Sequence, residues 1–126
     1  MAGFWVVLAL SVAGGLGAGC RLVLDGLVKA RVRTTFPLGT TVINVTGSFL
    51  LGLITGLAIV HALPQEWRLI LGTGFLGGYT TFSTASFETV RLAQQGRWGQ
   101  AAWNAFGMLA GSLLAAALGL WLGGVL

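Results

Sequence analysis

The residues of this sequence best suited to bind a ligand are hydrogen-bond donors that lie inside apolar stretches. Asn44 lies in one such stretch, a run of hydroxyl residues surrounds Phe82 in another, and Arg21 is the most interior cation. Polar groups inside a bilayer are costly, so they are candidates for function. Amides, hydroxyls and a guanidinium mainly donate hydrogen bonds, and donors suit a small anion. The amide and hydroxyl candidates are Thr40, Asn44, Thr80, Thr81, Ser83, Thr84, Ser86, Asn104 and Ser112.

Carboxylates are scarce in the same stretches. Asp25 and Glu88 are the candidates, and both lie towards the end of an apolar stretch. A cation pathway would need central acids or rings of carbonyl groups. The electropositive ring edge of Phe82 also favours an anion. Taken singly, each donor is more often a hydrogen bond between packed helices, but their concentration favours an anion pathway.

The remaining composition argues against several classes of protein. One histidine (His61), one cysteine (Cys20) and three acids cannot supply the nucleophile, base and orienting group of an enzyme. Gly72, Gly74 and Gly77 match a dinucleotide-binding pattern, but no strand–turn–helix unit surrounds them. Seven Lys and Arg against three acids give a net charge of +4 without a basic stripe, which argues against nucleic acid.

Four long apolar stretches must position these groups. The 126 residues are 56% hydrophobic and 8% charged, with a mean hydropathy of +0.89. A membrane-spanning helix needs about 20 mainly apolar residues. We therefore expect an all-α membrane protein with one four-helix transmembrane domain and spans at about 4–27, 38–63, 66–93 and 98–125. Tryptophans near the ends of these spans fit the membrane–water interface, and they are Trp5, Trp67, Trp98, Trp103 and Trp121.

Glycine and other small residues recur every fourth position on three of the stretches. This spacing lets helix backbones approach closely in lipid, within or between chains. The repeats are Ser11, Gly15 and Gly19; Ser48, Gly52 and Gly56; and Gly107, Gly111, Ala115, Gly119 and Gly123.

The third stretch combines glycines with hydroxyl residues over 72–84. This composition favours a helix broken near 77–80, with a continuous, closely packed helix as the alternative. A break at membrane depth exposes backbone carbonyls and amides, and it is tolerated where it is buried in protein or lines a polar cavity.

Three ordered motifs resemble the CrcB/Fluc family of fluoride channels. They are GGLGAGCR at 14–21, PLGTTVINVTGSFLLG at 37–52 and GFLGGYTTFST at 74–84, and the similarity extends over essentially the whole chain. The resemblance implies a passive, fluoride-selective channel in the cell membrane that exports cytoplasmic fluoride and limits its toxicity.

The resemblance also implies an assembly and roles for particular residues. It implies an antiparallel dimer with two fluoride pathways and a structural sodium ion at its centre, held by the backbone carbonyls of Gly77 and Thr80. Asn44 and Phe82 correspond to pore-lining positions, and Arg21 to a vestibule or structural cation. The polar surroundings correspond to Thr40, Ser83, Thr84, Glu88 and Ser112.

The chain departs from the family pattern at three positions. Ala85 stands where the family usually has a second phenylalanine, and Asn104 and Met108 stand where relatives often carry Tyr and Ser. These changes leave open whether a homodimer has two complete pores.

The charges of the loops are unequal. Five cations follow the first and third spans, against Arg68 on the other side, which predicts a fixed orientation with both termini outside. A heterodimer with an oppositely oriented paralogue is therefore an alternative to the homodimer. The five are Lys29, Arg31, Arg33, Arg91 and Arg97.

Two other functions fit the length of the chain. A four-helix proton-coupled multidrug exporter would need an embedded glutamate in the first helix, where no acid precedes Asp25. A non-transporting accessory subunit would suit the glycine repeats but would leave the polar run at 80–84 unexplained.

Overall fold

A computed structural model describes residues 2–126 and, from Gly3 onwards, their side chains. Helices account for nearly all of this range, and no strand occurs within it. Helix α1 is Ala2–Arg31 and helix α2 is Leu38–His61. Helix α3 covers residues 65–79, α4 is Phe82–Gln94, and α5 is Trp98–Val125.

Three of these helices are long and apolar enough to cross a membrane, namely α1, α2 and α5. Many of their large apolar side chains are exposed, such as Leu16, Leu22 and Leu114. Water would disfavour so much exposed apolar surface, whereas lipid would not. The chain is therefore a membrane protein, as its composition predicts.

Helix α1 continues beyond the expected end near residue 27 to Arg31. Lys29 Nζ donates to Asp25 Oδ2 at 2.7 Å, one helical turn away. An acid four residues before a base supports a helix, and no proline occurs before Pro37. Lys29 and Arg31 therefore lie on the last turns of the helix rather than in a loop.

Helices α2 and α5 run parallel and touch through glycines. A Cβ atom added to Gly52 would lie 2.1 Å from Ala116 O, and one added to Gly119 would lie 2.2 Å from Phe49 O. Added Cβ atoms at Gly56 and Gly123 would likewise meet the facing backbone, each at 2.5 Å. These two predicted repeats therefore act as packing faces within the chain.

Helix α1 packs against α3 through different glycines from those of its predicted repeat. Added Cβ atoms at Gly17 and Gly78 would lie 2.0 Å from Phe75 O and Gly14 O. Gly15 and Gly19, by contrast, have open space around them. The Ser11, Gly15 and Gly19 repeat therefore lies on a face of α1 that no other described part of the chain covers.

Helix α3 consists of three pieces with different hydrogen bonding. Gln65–Arg68 is α-helical, Leu69–Leu76 is π-helical, and Gly77–Tyr79 is α-helical. Thr80 and Thr81 then have extended backbones, with φ/ψ of −82°/158° and −147°/122°. Helix α4 begins at Phe82, where the Thr81 hydroxyl accepts from Thr84 N at 3.1 Å as an N-cap.

The loops divide between two poles of the molecule. The 32–37 and 95–97 loops lie at one pole, which we call the cationic pole because the five cations named above gather there. The 62–64 loop and the end of α5 lie at the other pole, near Arg68 and Glu66.

Candidate functional site

A groove of about 880 Å³ runs between α2, α5 and the junction of α3 with α4. Both extended residues of that junction line it, and Asn44 and Ser112 face it from the two long helices. The groove therefore contains most of the donors that the sequence singles out. Its polar lining residues include Asn44, Ser48, Thr73, Thr80, Thr81, Ser86, Thr89, Asn104 and Ser112.

Asn44 joins α2 to the extended junction. Its Nδ2 donates to Thr81 O at 2.8 Å, and its Oδ1 accepts from Thr81 N at 2.9 Å. Nδ2 also lies 3.1 Å from the sulfur of Met108 on α5. The amide thus satisfies both backbone groups of Thr81, in the way that a neighbouring strand would.

The bond from Thr81 N to Asn44 has a consequence for Gly77. In a continuous α-helix, Thr81 N would donate to Gly77 O, four residues earlier. Because Thr81 N donates to Asn44 instead, the Gly77 carbonyl loses that helical partner. Gly77 and Thr80 both line the groove. Carbonyls at interrupted helix ends are groups that coordinate Na⁺ in membrane proteins, so their chemistry fits a sodium ion.

Arg21 lies beside the same junction. Its Nε lies 3.4 Å from Gly78 O, to which it donates, and its side chain is half-buried. A guanidinium at the C-terminal end of a helix satisfies a free carbonyl and opposes the negative end of the helix dipole. Arg21 therefore connects α1 to the end of α3.

Phe82 lines the groove, whereas the two residues that follow it do not. The Phe82 ring lines the groove and is 87% exposed, so nothing in the described chain packs over it. Ser83 and Thr84 are not among the residues that line the groove. The Ser83 hydroxyl lies 3.3 Å from the hydroxyl of Thr81, while Thr84 uses its backbone N–H for the cap.

Thr40 and Glu88 lie away from this groove, towards the cationic pole. The Thr40 hydroxyl donates to Glu88 Oε1 and links α2 to α4. The Asp25 carboxylate packs beside Gly39, where an added Cβ would lie 2.1 Å from Oδ1. Two carboxylates thus flank the start of α2, where a helix dipole favours negative charge.

Asn104 is a groove residue whose role sequence reasoning did not identify. It is 1% exposed and lies in a π-helical segment, Trp103–Gly107. Its Nδ2 donates to Thr89 Oγ1 at 2.8 Å, and Thr89 Oγ1 donates to Ala85 O at 2.8 Å. Asn104 Oδ1 has no hydrogen-bond partner in the described part of the chain. The sequence marks Asn104 as a donor in an apolar stretch and as a departure from the family pattern, but it does not show the bond to Thr89.

Comparisons with known proteins agree with this architecture. The described chain has an all-helical fold, with long exposed apolar helices and a polar groove, and this architecture is that of a membrane protein. The family model described as "CrcB-like protein, Camphor Resistance (CrcB)" matches residues 8–120. The chain belongs to this CrcB-like family.

Curated relatives of the chain carry the name of an ion channel. "Fluoride-specific ion channel FluC 1" of Leifsonia xyli subsp. xyli is 65% identical over 120 residues, which cover 95% of this chain and 88% of the relative. "Fluoride-specific ion channel FluC 2" of Cutibacterium acnes is 51% identical over 94% of each chain. "Fluoride-specific ion channel FluC" of Thermus thermophilus is 44% identical over 94% of this chain and 95% of the relative. The family is one of ion channels and not of enzymes, as the sequence predicts.

Proposed function

We propose that this chain is a subunit of a passive, fluoride-selective channel that lets fluoride leave the cytoplasm across the cell membrane. The observation that carries the proposal is the 65% identity with a protein named as a fluoride-specific ion channel. The groove supports it, because the described residues that form its polar lining are amides and hydroxyls, with no carboxylate among them. Fluoride is small and strongly hydrated, so a pore must replace its water with hydrogen-bond donors.

In this proposal, the third span is a broken helix made of α3 and α4, which gives four spans in one domain. The extended backbone at Thr80 and Thr81 supports the break. Its position beside a polar groove fits the rule that irregular backbone at membrane depth lines a cavity or is buried in protein. The interruption also explains why, within residues 2–126, only α1, α2 and α5 are long enough to span alone.

The proposed pathway contains the residues singled out by the resemblance. Phe82 offers its ring edge and Ser112 its hydroxyl inside the groove, while Ser83 and Thr84 would offer their hydroxyls from outside its lining. Asn44 lies on the proposed pathway, but its amide oxygen and nitrogen both bind Thr81 within the chain. Its role therefore includes holding the junction of α3 with α4. Thr40 and Glu88 form the polar surroundings near the cationic pole, and Arg21 is the vestibule or structural cation.

The proposed assembly is an antiparallel dimer with a structural sodium ion at its centre, coordinated by the carbonyls of Gly77 and Thr80. The freed Gly77 carbonyl supports this role. Thermal unfolding in sodium buffer and in buffer with a large organic cation would test it. An unchanged unfolding midpoint would argue against a sodium ion that stabilises the assembly.

The partner in the dimer is a second copy or an oppositely oriented paralogue. The five cations at one pole favour the paralogue, because a protein inserted in both orientations should have balanced loop charges. The small-residue face of α1, with Gly15 and Gly19 open within the chain, is available for contact between subunits.

Growth in fluoride tests the proposed function in cells. A bacterial host without its own fluoride exporter should grow in fluoride when it expresses this chain, alone or with an oppositely oriented relative. The Phe82→Ile variant, expressed at an equal level, should not restore growth. Failure of the wild-type chain in both settings would count against fluoride export.

A further inference from the structure

A second cavity, of about 390 Å³, opens at the cationic pole between the 34–38 segment and the end of α4. Known ligand pockets have volumes of about 300–1,000 Å³. We call it the basic cavity, and its polar and charged lining residues are Lys29, Thr34, Thr35, Glu88, Arg91, Gln95 and Arg97.

The charges of the basic cavity suit an anionic ligand. Three cations line it against one carboxylate, Glu88, whose Oε1 accepts from Thr40. Lys29 is paired with Asp25, while Arg91 and Arg97 are exposed. Arg97 Nη1 donates to the Thr35 hydroxyl, which holds the guanidinium at the rim. Other N–H groups of both arginines are left for a ligand, and guanidinium groups bind phosphate with two parallel hydrogen bonds.

The position of the basic cavity matches the level of lipid headgroups. It lies where α1 and α4 end and α5 begins, and Trp98 follows Arg97 directly. The Trp98 side chain is 70% exposed, as expected of a ring at the membrane–water interface. Val32, a lining residue with an exposed apolar side chain, offers contact to an acyl chain. Among the described residues, the opposite pole has Arg68 two positions after Glu66 and no comparable excess of cations.

We propose that the basic cavity binds the phosphate headgroup of an anionic phospholipid, with Arg91 and Arg97 as its principal ligands. Cations near a membrane surface attract anionic lipid by about 1 kcal/mol each. The two arginines present this attraction together, in a cavity with hydroxyl and amide donors at its wall. The lipid would anchor the 32–37 loop and the end of α4 at one leaflet. The proposal depends only on the chain lying in a membrane and is independent of the transported ion.

Equilibrium binding of a labelled phosphatidylglycerol to the full chain in neutral detergent tests this assignment. Phosphatidylcholine with the same acyl chains should bind much more weakly. The R91Q/R97Q variant keeps hydrogen-bonding side chains but loses two charges. It should bind phosphatidylglycerol about twenty-five-fold more weakly, at roughly five-fold for each cation. R91K/R97K keeps the charges but loses the paired hydrogen bonds of the guanidinium groups, so its affinity should lie between those of R91Q/R97Q and the wild-type chain. Single variants replace the double variant if it fails to fold.

Two controls separate a defined site from general attraction to the cationic pole. R31Q/R33Q removes the same charge at the same pole, outside the cavity lining, and should weaken binding only a few-fold. R68Q, at the other pole, should leave it unchanged. An equal loss in R31Q/R33Q, equal binding of phosphatidylcholine, or displacement of the lipid by inorganic phosphate at equal concentration would each overturn the proposal. The last result would identify a site for free phosphate instead.

Discussion

The side-chain amide of Asn44 pairs with both backbone groups of Thr81, at 2.8 Å to its carbonyl oxygen and 2.9 Å to its nitrogen. These bonds tie the middle of α2 to the point where α3 and α4 separate. They explain how two residues with extended backbones persist between helices in a region where water is scarce. They also deprive Gly77 O of its helical partner, which connects the junction to the proposed sodium site.

Replacing Asn44 with leucine should therefore destabilise the protein strongly. Leucine has a similar volume but leaves the N–H and C=O of Thr81 without partners, at about 1–3 kcal/mol for each group. The unfolding midpoint in detergent is the measurement. Ser48→Ala, on the same helix and the same groove, is the control and should change little. A midpoint as high as that of the control would contradict the proposed role of Asn44.

Asn104→Leu should behave differently from Asn44→Leu. Asn104 is more deeply buried, yet its Oδ1 lacks a partner in the described chain. Removing an unsatisfied acceptor offsets the loss of the bond to Thr89, which keeps its own bond to Ala85 O. We expect a change within about 1 kcal/mol. If Asn104→Leu lowers the unfolding midpoint as far as Asn44→Leu does, Oδ1 must have a donor in the assembled protein.

Two adjacent glycines near the end of α5 provide a test of the helix packing. A Cβ at Gly123 would lie 2.5 Å from Leu53 O, whereas a Cβ at Gly124 would meet nothing within 4 Å. Gly123→Ala should push α2 and α5 apart and cost about 1–3 kcal/mol. Gly124→Ala should be neutral or slightly stabilising, because alanine favours a helix over glycine. Equal midpoints for the two variants would contradict the parallel contact between α2 and α5.

Cysteine labelling in intact cells tests the fixed orientation. In a Cys20→Ser background, Gln65→Cys and Gln94→Cys place exposed thiols near opposite poles. An impermeant maleimide should label Gln65→Cys from outside, and Gln94→Cys only after the cells are permeabilised, because the cationic pole stays in the cytoplasm. Equal labelling of both variants in intact cells would show that the chain inserts in both orientations.

The sequence predicts the apolar helices in more detail than it predicts the site. Apolar length alone identifies α1, α2 and α5, and the spacing of Gly52, Gly56, Gly119 and Gly123 predicts a close helix contact. The glycine spacing does not show which face of α1 packs against the chain. Gly15 and Gly19 lie on one face of this helix, and Gly14 and Gly17 offer a second. Only the fold decides between them.

The details of the site depend on contacts between distant parts of the chain. Asn44 and Thr81 are 37 positions apart, and Thr40 and Glu88 are 48 apart. Sequence can mark each as a polar residue in an apolar stretch but cannot pair them. The Asn104 amide is likewise oriented by its hydrogen bond to the Thr89 hydroxyl. That hydroxyl is in turn oriented by its own hydrogen bond to the Ala85 carbonyl. The π-helical segments of α3 and α5 have no residue pattern that separates them from α-helix.

Fluoride efflux from liposomes that contain only this chain is the direct test of a fluoride channel. With a fluoride electrode, we expect rapid fluoride efflux, no comparable chloride efflux, and loss of fluoride efflux in Phe82→Ile, which removes the ring edge. Phe4→Ile, at an exposed phenylalanine outside the groove lining, should keep the wild-type rate. If the chain alone gives no fluoride efflux, efflux should appear when it is co-reconstituted with an oppositely oriented relative. Chloride efflux as fast as that of fluoride, or no fluoride efflux from folded protein in either setting, would contradict the proposed fluoride channel.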